Sequence, residues 1–316
     1  MRKFKKILKW TGIILFFLVS GIFVTVMTRQ NMKYDRPFPA IAASTDSSVI
    51  AKGKHIVFGG GHCASCHSLS NSDSLLALGE DVALSGGFVF DLPFGKIYTK
   101  NLTSDKETGI GNYTDAELAR SLRYGVHPDG SMLYPFMPFN NLSDDDLTAV
   151  ISYLRTQKPV RNPVPDHELN VLGKVLKAFV LKPVGPVGEV PKSVKEEATP
   201  EYGRYLATYV ANCNGCHTER NSTGSFVGVP FAGGAPMEDP AGTHIPPNLT
   251  PDSTSRIFGW SEENFINRFR LGAVQKGSHM PWNSYKRMSD TELKAIYAFL
   301  RSLPPSKSKV WPTEHK

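Results

Sequence analysis

The chain has 316 residues, enough for two domains of ordinary size, each with its own core. Its 41% hydrophobic content is that of a water-soluble protein, so any membrane attachment is confined to one segment. The net charge of +7 is all N-terminal: up to Arg36 there are eight Lys or Arg and one acid, and beyond it 28 of each. That distribution removes the basic field a nucleic-acid partner needs.

The N-terminal stretch MRKFKKILKWTGIILFFLVSGIFVTVMTRQ opens with Arg2, Lys3, Lys5, Lys6 and Lys9, then runs uncharged from Trp10 to Met27. Such a run, if helical, covers about 27 Å, close to the hydrocarbon thickness of a bilayer. It is longer than the apolar region of a secretion signal, and no A-x-A cleavage site follows directly after it. Residues 1–29 are therefore read as a basic cytoplasmic segment with an uncleaved transmembrane anchor; a cleaved leader is the alternative. Basic residues stay cytoplasmic, so the rest of the chain is expected across the membrane, in a bacterium on the periplasmic side of the inner membrane. Residues 30–47 read as a polar tether.

A first domain is expected over 48–158. It carries CASCH at 63–67, then LSGGFVFDLPFGKIYTKNLTSD, then YTDAELARSLRYG, in which Thr114 stands three residues before Glu117 as in a capping box. YPFMPF offers Met137, followed by Pro138 and Phe139. SDDDLTAVISYLR places Leu147, Val150, Ile151 and Leu154 on one helical face, with Ser143 as N-cap.

Residues 159–198 form a Pro-rich linker. Leu169, Leu172, Leu176 and Phe179 predict a short amphipathic helix in its middle. The simpler role is a connector packed over the domains; a docking helix for a partner is the alternative.

Residues 199–305 repeat the first domain. CNGCH lies at 213–217, and AGGAPMEDPAGTHIPPNLTPD corresponds to the earlier glycine-to-NLT stretch. Cys63 precedes Asn101 by 38 residues, and Cys213 precedes Asn248 by 35. WSEENFINRFRLG has Ser261 as N-cap without the Glu that would complete a box. GSHMPWNSYKRMSD offers Met280, followed by Pro281 and Trp282. SDTELKAIYAFLR repeats the last helix 146 residues on, with Leu293, Ile296, Tyr297 and Leu300 behind the cap Ser289. A tail of 306–316 remains.

All four cysteines lie in the two C-x-x-C-H motifs. Bridging inside either pair is strained and needs no histidine. A zinc site wants its pairs closer than the 147 positions between Cys66 and Cys213. A thioredoxin-like site explains one pair, not two. The pattern is that of covalent c-type haem: two thioethers from Cys63 and Cys66, or Cys213 and Cys216, with His67 or His217 as the iron ligand on the same side. Two haems are therefore expected. Met137 and Met280, each before proline and an aromatic, are the expected sixth ligands, since a thioether stabilises ferrous iron. Met132 competes with Met137, lying 69 residues after Cys63 where Met280 lies 67 after Cys213. Met288 is assigned to packing. His55, His62, His127, His167, His244, His279 and His315 are assigned to surface or core.

The stretches CASCH, LSGGFVFDLPFGKIYTKNLTSDKETGIGNYTDAEL, GVHPDGS, PFMPF and SDDDLTAVISYLR resemble class I cytochrome c domains. More narrowly, they resemble two-haem proteins related to the cytochrome subunits of membrane alcohol and sugar dehydrogenases. The resemblance spans most of residues 50–303. It implies an all-α chain: a transmembrane helix, then two class I cytochrome c domains joined by the linker. It also implies that the helix before each haem motif crosses the last helix, at Gly53 opposite Tyr153 or Leu154 and at Gly203 opposite Phe299 or Leu300. Those dehydrogenase subunits usually carry three haems, and this chain has two motifs. The expected function is one-electron transfer between a redox-protein donor and acceptor, free or as a subunit of a dehydrogenase or oxidase complex, with no catalytic residue of its own. A diheme peroxidase or another catalytic cytochrome with one open haem is the rival.

Overall fold

The computed structural model describes residues 2–307 apart from 70–71, 222–223, 240–241 and 275–276. Met1, His315 and most of the tail therefore lie outside the described residues. α1 (Arg2–Arg29) is one helix of 28 residues. Only Val26 within it is buried, while Phe16, Phe17 and Phe23 point outward. It is the one helix, among the described residues, long and apolar enough to cross a membrane, with a mean hydropathy of 2.2.

The first half then builds α2 (Ser47–Phe58), α3 (Cys63–His67), α4 (Asp73–Ala77), the hairpin β1 (Val89–Leu92) and β2 (Gly95–Tyr98), α5 (Asp115–Tyr124) and α6 (Asp144–Arg155). Between the halves come β3 (Glu168–Leu169) and α7 (Val171–Phe179). The second half has α8 (Pro200–Tyr205), continued by a π-helical turn at Leu206–Val210, and α9 (Cys213–His217). It ends with β4 (Met237–Asp239), β5 (Gly242–His244), α10 (Glu262–Arg270), α11 (Trp282–Tyr285) and α12 (Asp290–Ser302).

The caps fall where the sequence puts them. Thr114 and Glu117 form the full capping box of α5, Ser143 caps α6, and Ser261 caps α10. Ser289 and Glu292 form a second box on α12. In each half the helix before the motif crosses the last helix at a glycine. A Cβ on Gly53 would stand 1.9 Å from Ala149 O and 2.9 Å from Tyr153 Cβ. On Gly203 it would stand 1.9 Å from Ala295 O and 2.8 Å from Phe299 Cβ. Only a missing side chain lets the two backbones approach this closely.

Three expectations need correction. The chain is mostly helical but not all-α: β1, β2 and β3 form an antiparallel sheet, and β4 pairs with β5. The hairpin turns at Pro93–Phe94 into Gly95, whose φ of 135° is open only to glycine, and the preceding Val89–Leu92 alternates in burial as a strand does. Leu169 is in β3 rather than the linker helix, because the Asn170 side chain accepts from Gly173 N–H and starts α7 after it.

The segment 30–47 is also no free tether. Tyr34 N donates to Gly130 O, Ala43 N to Asp115, and Ser44 N to Ser152, while Phe38 lies 4.2 Å beneath the Arg120 guanidinium.

The main apolar core is continuous through both halves; a smaller one holds Ile97, Met132 and Tyr134 under the hairpin. The halves meet along a buried seam. A Cβ on Gly60 would lie 3.1 Å from Val210 and 3.5 Å from Met288 Cε, and Met288 is 2% exposed, the packing residue expected. The Tyr205 hydroxyl donates to Asp146 at 2.5 Å and accepts from Ser143 N–H at 2.9 Å. Lys52 Nζ reaches Asp146 and Glu196 at 2.6 and 2.7 Å, and His55 Nε2 meets Glu292 at 2.7 Å.

Candidate functional site

Each C-x-x-C-H motif is a short helix launched from a residue in the left-handed region. His62 has φ 40° and Asn212 has φ 51°. Asn tolerates this conformation, and His62 is held there by Nδ1–H donating to Gly60 O at 2.9 Å. Residues three and four apart share a helix face, so Cys63, Cys66 and His67 project together, as do Cys213, Cys216 and His217. The four thiols are unbridged.

The two histidines are oriented identically. His67 Nδ1–H donates to Lys100 O at 2.8 Å, and His217 Nδ1–H to Pro247 O at 2.7 Å. A carbonyl only accepts, so both rings carry their proton on Nδ1 and keep a lone pair on Nε2. Burial holds both imidazoles below the ordinary histidine value, which keeps them neutral.

The Asn-Leu-Thr triplets fix those carbonyls. Asn101 Nδ2 donates to Val160 O at 2.8 Å, and its Oδ1 accepts from Thr103 N–H and hydroxyl at 2.9 and 2.7 Å. Asn248 repeats this, donating to Ser306 O at 2.7 Å and accepting both Thr250 bonds at 2.8 Å. Sequence reading used the triplet only to mark the repeat. Its near-equal spacing in both halves was the available signal for this role.

Burial also raises the thiols: Cys63 to about 12, Cys66 to about 11, Cys213 to about 12, and Cys216 upward as well. As free thiols they are protonated, and as thioethers to haem they would carry no proton, so neither form enters acid–base chemistry.

The methionines part company. Met137 packs against the main core and lines a small cavity with Leu122, Leu133 and Tyr134. Met132 is 4% exposed in the smaller core, bridged through its backbone to Val126. Met280 packs against the main core just before α11, with Trp282 Nε1–H donating to Ser278 Oγ at 2.9 Å and Arg268 lying 3.6 Å over the Trp282 ring.

The motifs share a wall. Tyr285 on α11 stands edge-on to His62, ring centroids 5.5 Å apart, and donates its hydroxyl to Ala211 O. Its neighbour Ser284 meets Ser65, inside the first motif, at 3.1 Å between hydroxyl oxygens. Burial, and then the neighbouring Cys213, Cys216 and Cys66, push the Tyr285 hydroxyl well above the usual phenol value. One buried tyrosine thus borders both motifs. No sequence signal marked it, because the contact joins residues of different halves.

The residues fit covalent haem: two thiols and one imidazole with a free Nε2 lone pair share a face against an apolar core, twice. Residues 50–158 match the family model described as Cytochrome c, and residues 201–300 the one described as Cytochrome C oxidase, cbb3-type, subunit III. The chain therefore holds two cytochrome c domains, one in each half, and takes two haem c groups.

Its relatives narrow the class. It is 29% identical over 282 residues to the fructose dehydrogenase cytochrome subunit of Gluconobacter japonicus, covering 85% of this chain and 55% of that one. It is 30% identical over 289 residues to the cytochrome c subunit of the quinone alcohol dehydrogenase of Gluconobacter oxydans, covering 84% and 57%. A diheme cytochrome c-type protein of Cereibacter sphaeroides is 29% identical over 262 residues, covering 80% and 86%. The chain spans little more than half the length of the two dehydrogenase subunits.

Proposed function

We propose that this protein is a membrane-anchored, two-haem electron carrier. It takes single electrons from a respiratory or dehydrogenase donor and passes them to an acceptor such as a terminal oxidase or a soluble cytochrome. Cys63, Cys66 and His67 hold one haem in a domain over 48–158, and Cys213, Cys216 and His217 the other in a domain over 199–305. Met137 and Met280 supply the sixth ligands. α1 spans the inner membrane with Arg2 to Lys9 on the cytoplasmic side and the haem domains in the periplasm.

The observation that carries this reading is the duplicated set of motif histidine, backbone carbonyl and Asn/Thr clamp, built twice against a shared tyrosine. Bound haem supplies a one-electron couple. The chain's residues do the rest. The Lys100 and Pro247 carbonyls hold the imidazoles in one tautomer and orientation, and the core around Met137 and Met280 excludes water. Tyr285 and the seam keep the two centres close. Met132 in the smaller core and Met137 on the main one support Met137 as the ligand. With methionine on each iron no position is open to substrate, so the chain is a carrier rather than an enzyme. The names of the dehydrogenase relatives favour work as a complex subunit.

The test is the near-infrared sulfur-to-iron charge-transfer band of the oxidised protein, scaled to haem content. Two methionine-ligated haems per chain are expected. One or none overturns the closed-site reading and favours a catalytic cytochrome.

A further inference from the structure

α7 is inside out for a helix that faces water. Val171, Leu172 and Phe179 are exposed at 78%, 51% and 45%, and Val180 just beyond the helix at 42%. At 100° per residue, Val171, Leu172, Val175 and Phe179 fall within an arc of about 100° of the helix. The opposite side carries Gly173, Lys174 and Lys177, and Ala178 lies at the edge of the stripe beside Val171. Gly173 and Ala178 are buried against the protein, and a Cβ on Gly173 would meet Phe94 O at 2.2 Å. The apolar stripe faces away from the domain, and the half-buried Lys174 and Lys177 lie on the inner side, between Gly173 and Ala178.

This stripe sits where α1 ends. α1 packs against α7: Arg29 Nε donates to Ala178 O at 3.0 Å, and its guanidinium lies 5.4 Å over the Phe179 ring. The uncharged run of α1 stops at Met27, two residues before that contact. α7 therefore lies at the level where an α1 that crosses a bilayer would leave the hydrocarbon. Residues 170–188 contain Lys174, Lys177 and Lys182 and no acid, and the nearest opposing pair, Lys33 with Asp129, is already made.

We propose that α7 is a second membrane contact, lying in the headgroup layer of the bilayer that α1 spans. Its apolar stripe enters the acyl boundary, and the exposed Lys182 just beyond it meets anionic phosphate. The inference rests on the reading of α1 as the anchor.

The full-length holoprotein is placed in vesicles of phosphatidylethanolamine and phosphatidylglycerol containing a diazirine-bearing phosphatidylcholine, photolysed, and its lipid adducts are mapped by mass spectrometry. Adducts are expected within 2–29 and within 171–182. The double variant Val171→Glu, Leu172→Glu changes two exposed side chains and leaves the Arg29–Phe179 contact in place; it should keep the first set and lose the second. Adducts on α1 alone overturn the inference and leave the anchor standing, as do adducts at 171–182 that persist in the variant. Absence of adducts at 171–182 together with a disulfide between the Leu172→Cys variants of two chains also overturns it, in favour of a second copy as occupant. No adducts on α1 would overturn the anchor, and the inference with it.

Discussion

Tyr205→Phe tests whether the seam is a structural unit. The hydroxyl ties α8 of the second half to α6 of the first, donating to Asp146 Oδ2 at 2.5 Å and accepting from Ser143 N–H at 2.9 Å. Ser143 is fully buried and Asp146 is 4% exposed, so water does not replace the lost oxygen. A hydrogen bond to a buried carboxylate contributes about 1.5–3 kcal/mol, and an orphaned buried N–H costs about 1–3 kcal/mol. Asp146 keeps Lys52, at 2.6 Å, which blunts the loss. The expected destabilisation is about 3 kcal/mol, roughly a hundredfold in the folding equilibrium. The assay is guanidinium unfolding of the detergent-solubilised holoprotein, followed by circular dichroism in the haem Soret band. A double-mutant cycle with Asp146→Asn isolates the pair, with an expected coupling above about 1 kcal/mol. A loss below about 0.5 kcal/mol, within the range of ordinary surface substitutions, would refute the seam as a source of stability.

Two further predictions concern the axial methionine and pH. Met137→Ala should lower the potential of one haem and open it to carbon monoxide. Met132→Ala should do neither, while destabilising the small core by about 2–5 kcal/mol; carbon monoxide binding by the Met132 variant alone would reverse the assignment. The hydrogen bond that His55 Nε2–H donates to the Glu292 carboxylate raises His55 above its ordinary 6.5. A raised folded value means that this contribution is complete below about pH 6.5 and lost as pH climbs through the folded value. Stability should therefore decline on the alkaline side, and His55→Gln should flatten that decline; an unchanged slope would remove the pair from the seam.

What was legible in the sequence was local or repeated. C-x-x-C-H is contiguous, Thr114 and Ser289 act within one turn, and each last helix reveals itself by period. Gly53 and Gly203 were marked through family resemblance, and the structure places Tyr153 and Phe299 opposite them. β3 was missed because it has two residues and gains its partner only when chain 72–74 positions away folds back. Tyr205, Tyr285 and the His55–Glu292 pair were missed for a related reason. Each makes sense only across the seam, and no spacing along one half encodes a contact with the other. α7 shows the limit differently. Its period announced an amphipathic helix, but period alone does not say whether the apolar face turns inward or outward.

The packed-down segment 30–47 bears on how electrons reach the haems. A free chain of its 18 residues would let the domains range over about 24 Å from the anchor. Here Ile41 is buried, Phe38 is stacked under Arg120, and backbone donors are fixed at Tyr34, Ala43 and Ser44. The first domain is thus bound directly to the end of α1, and the seam binds the second domain to the first. A carrier on a loose tether swings between distant partners. On the proposed reading of α1 as a membrane anchor and of the chain as a carrier, one held in this way would present fixed faces, and its donor and acceptor would have to come to it at the membrane, either by lateral encounter or as neighbours in a stable complex. That arrangement joins the anchor, the seam and the shared tyrosine in one mechanical design, in which the chain fixes the distance between haems and the partners supply the motion.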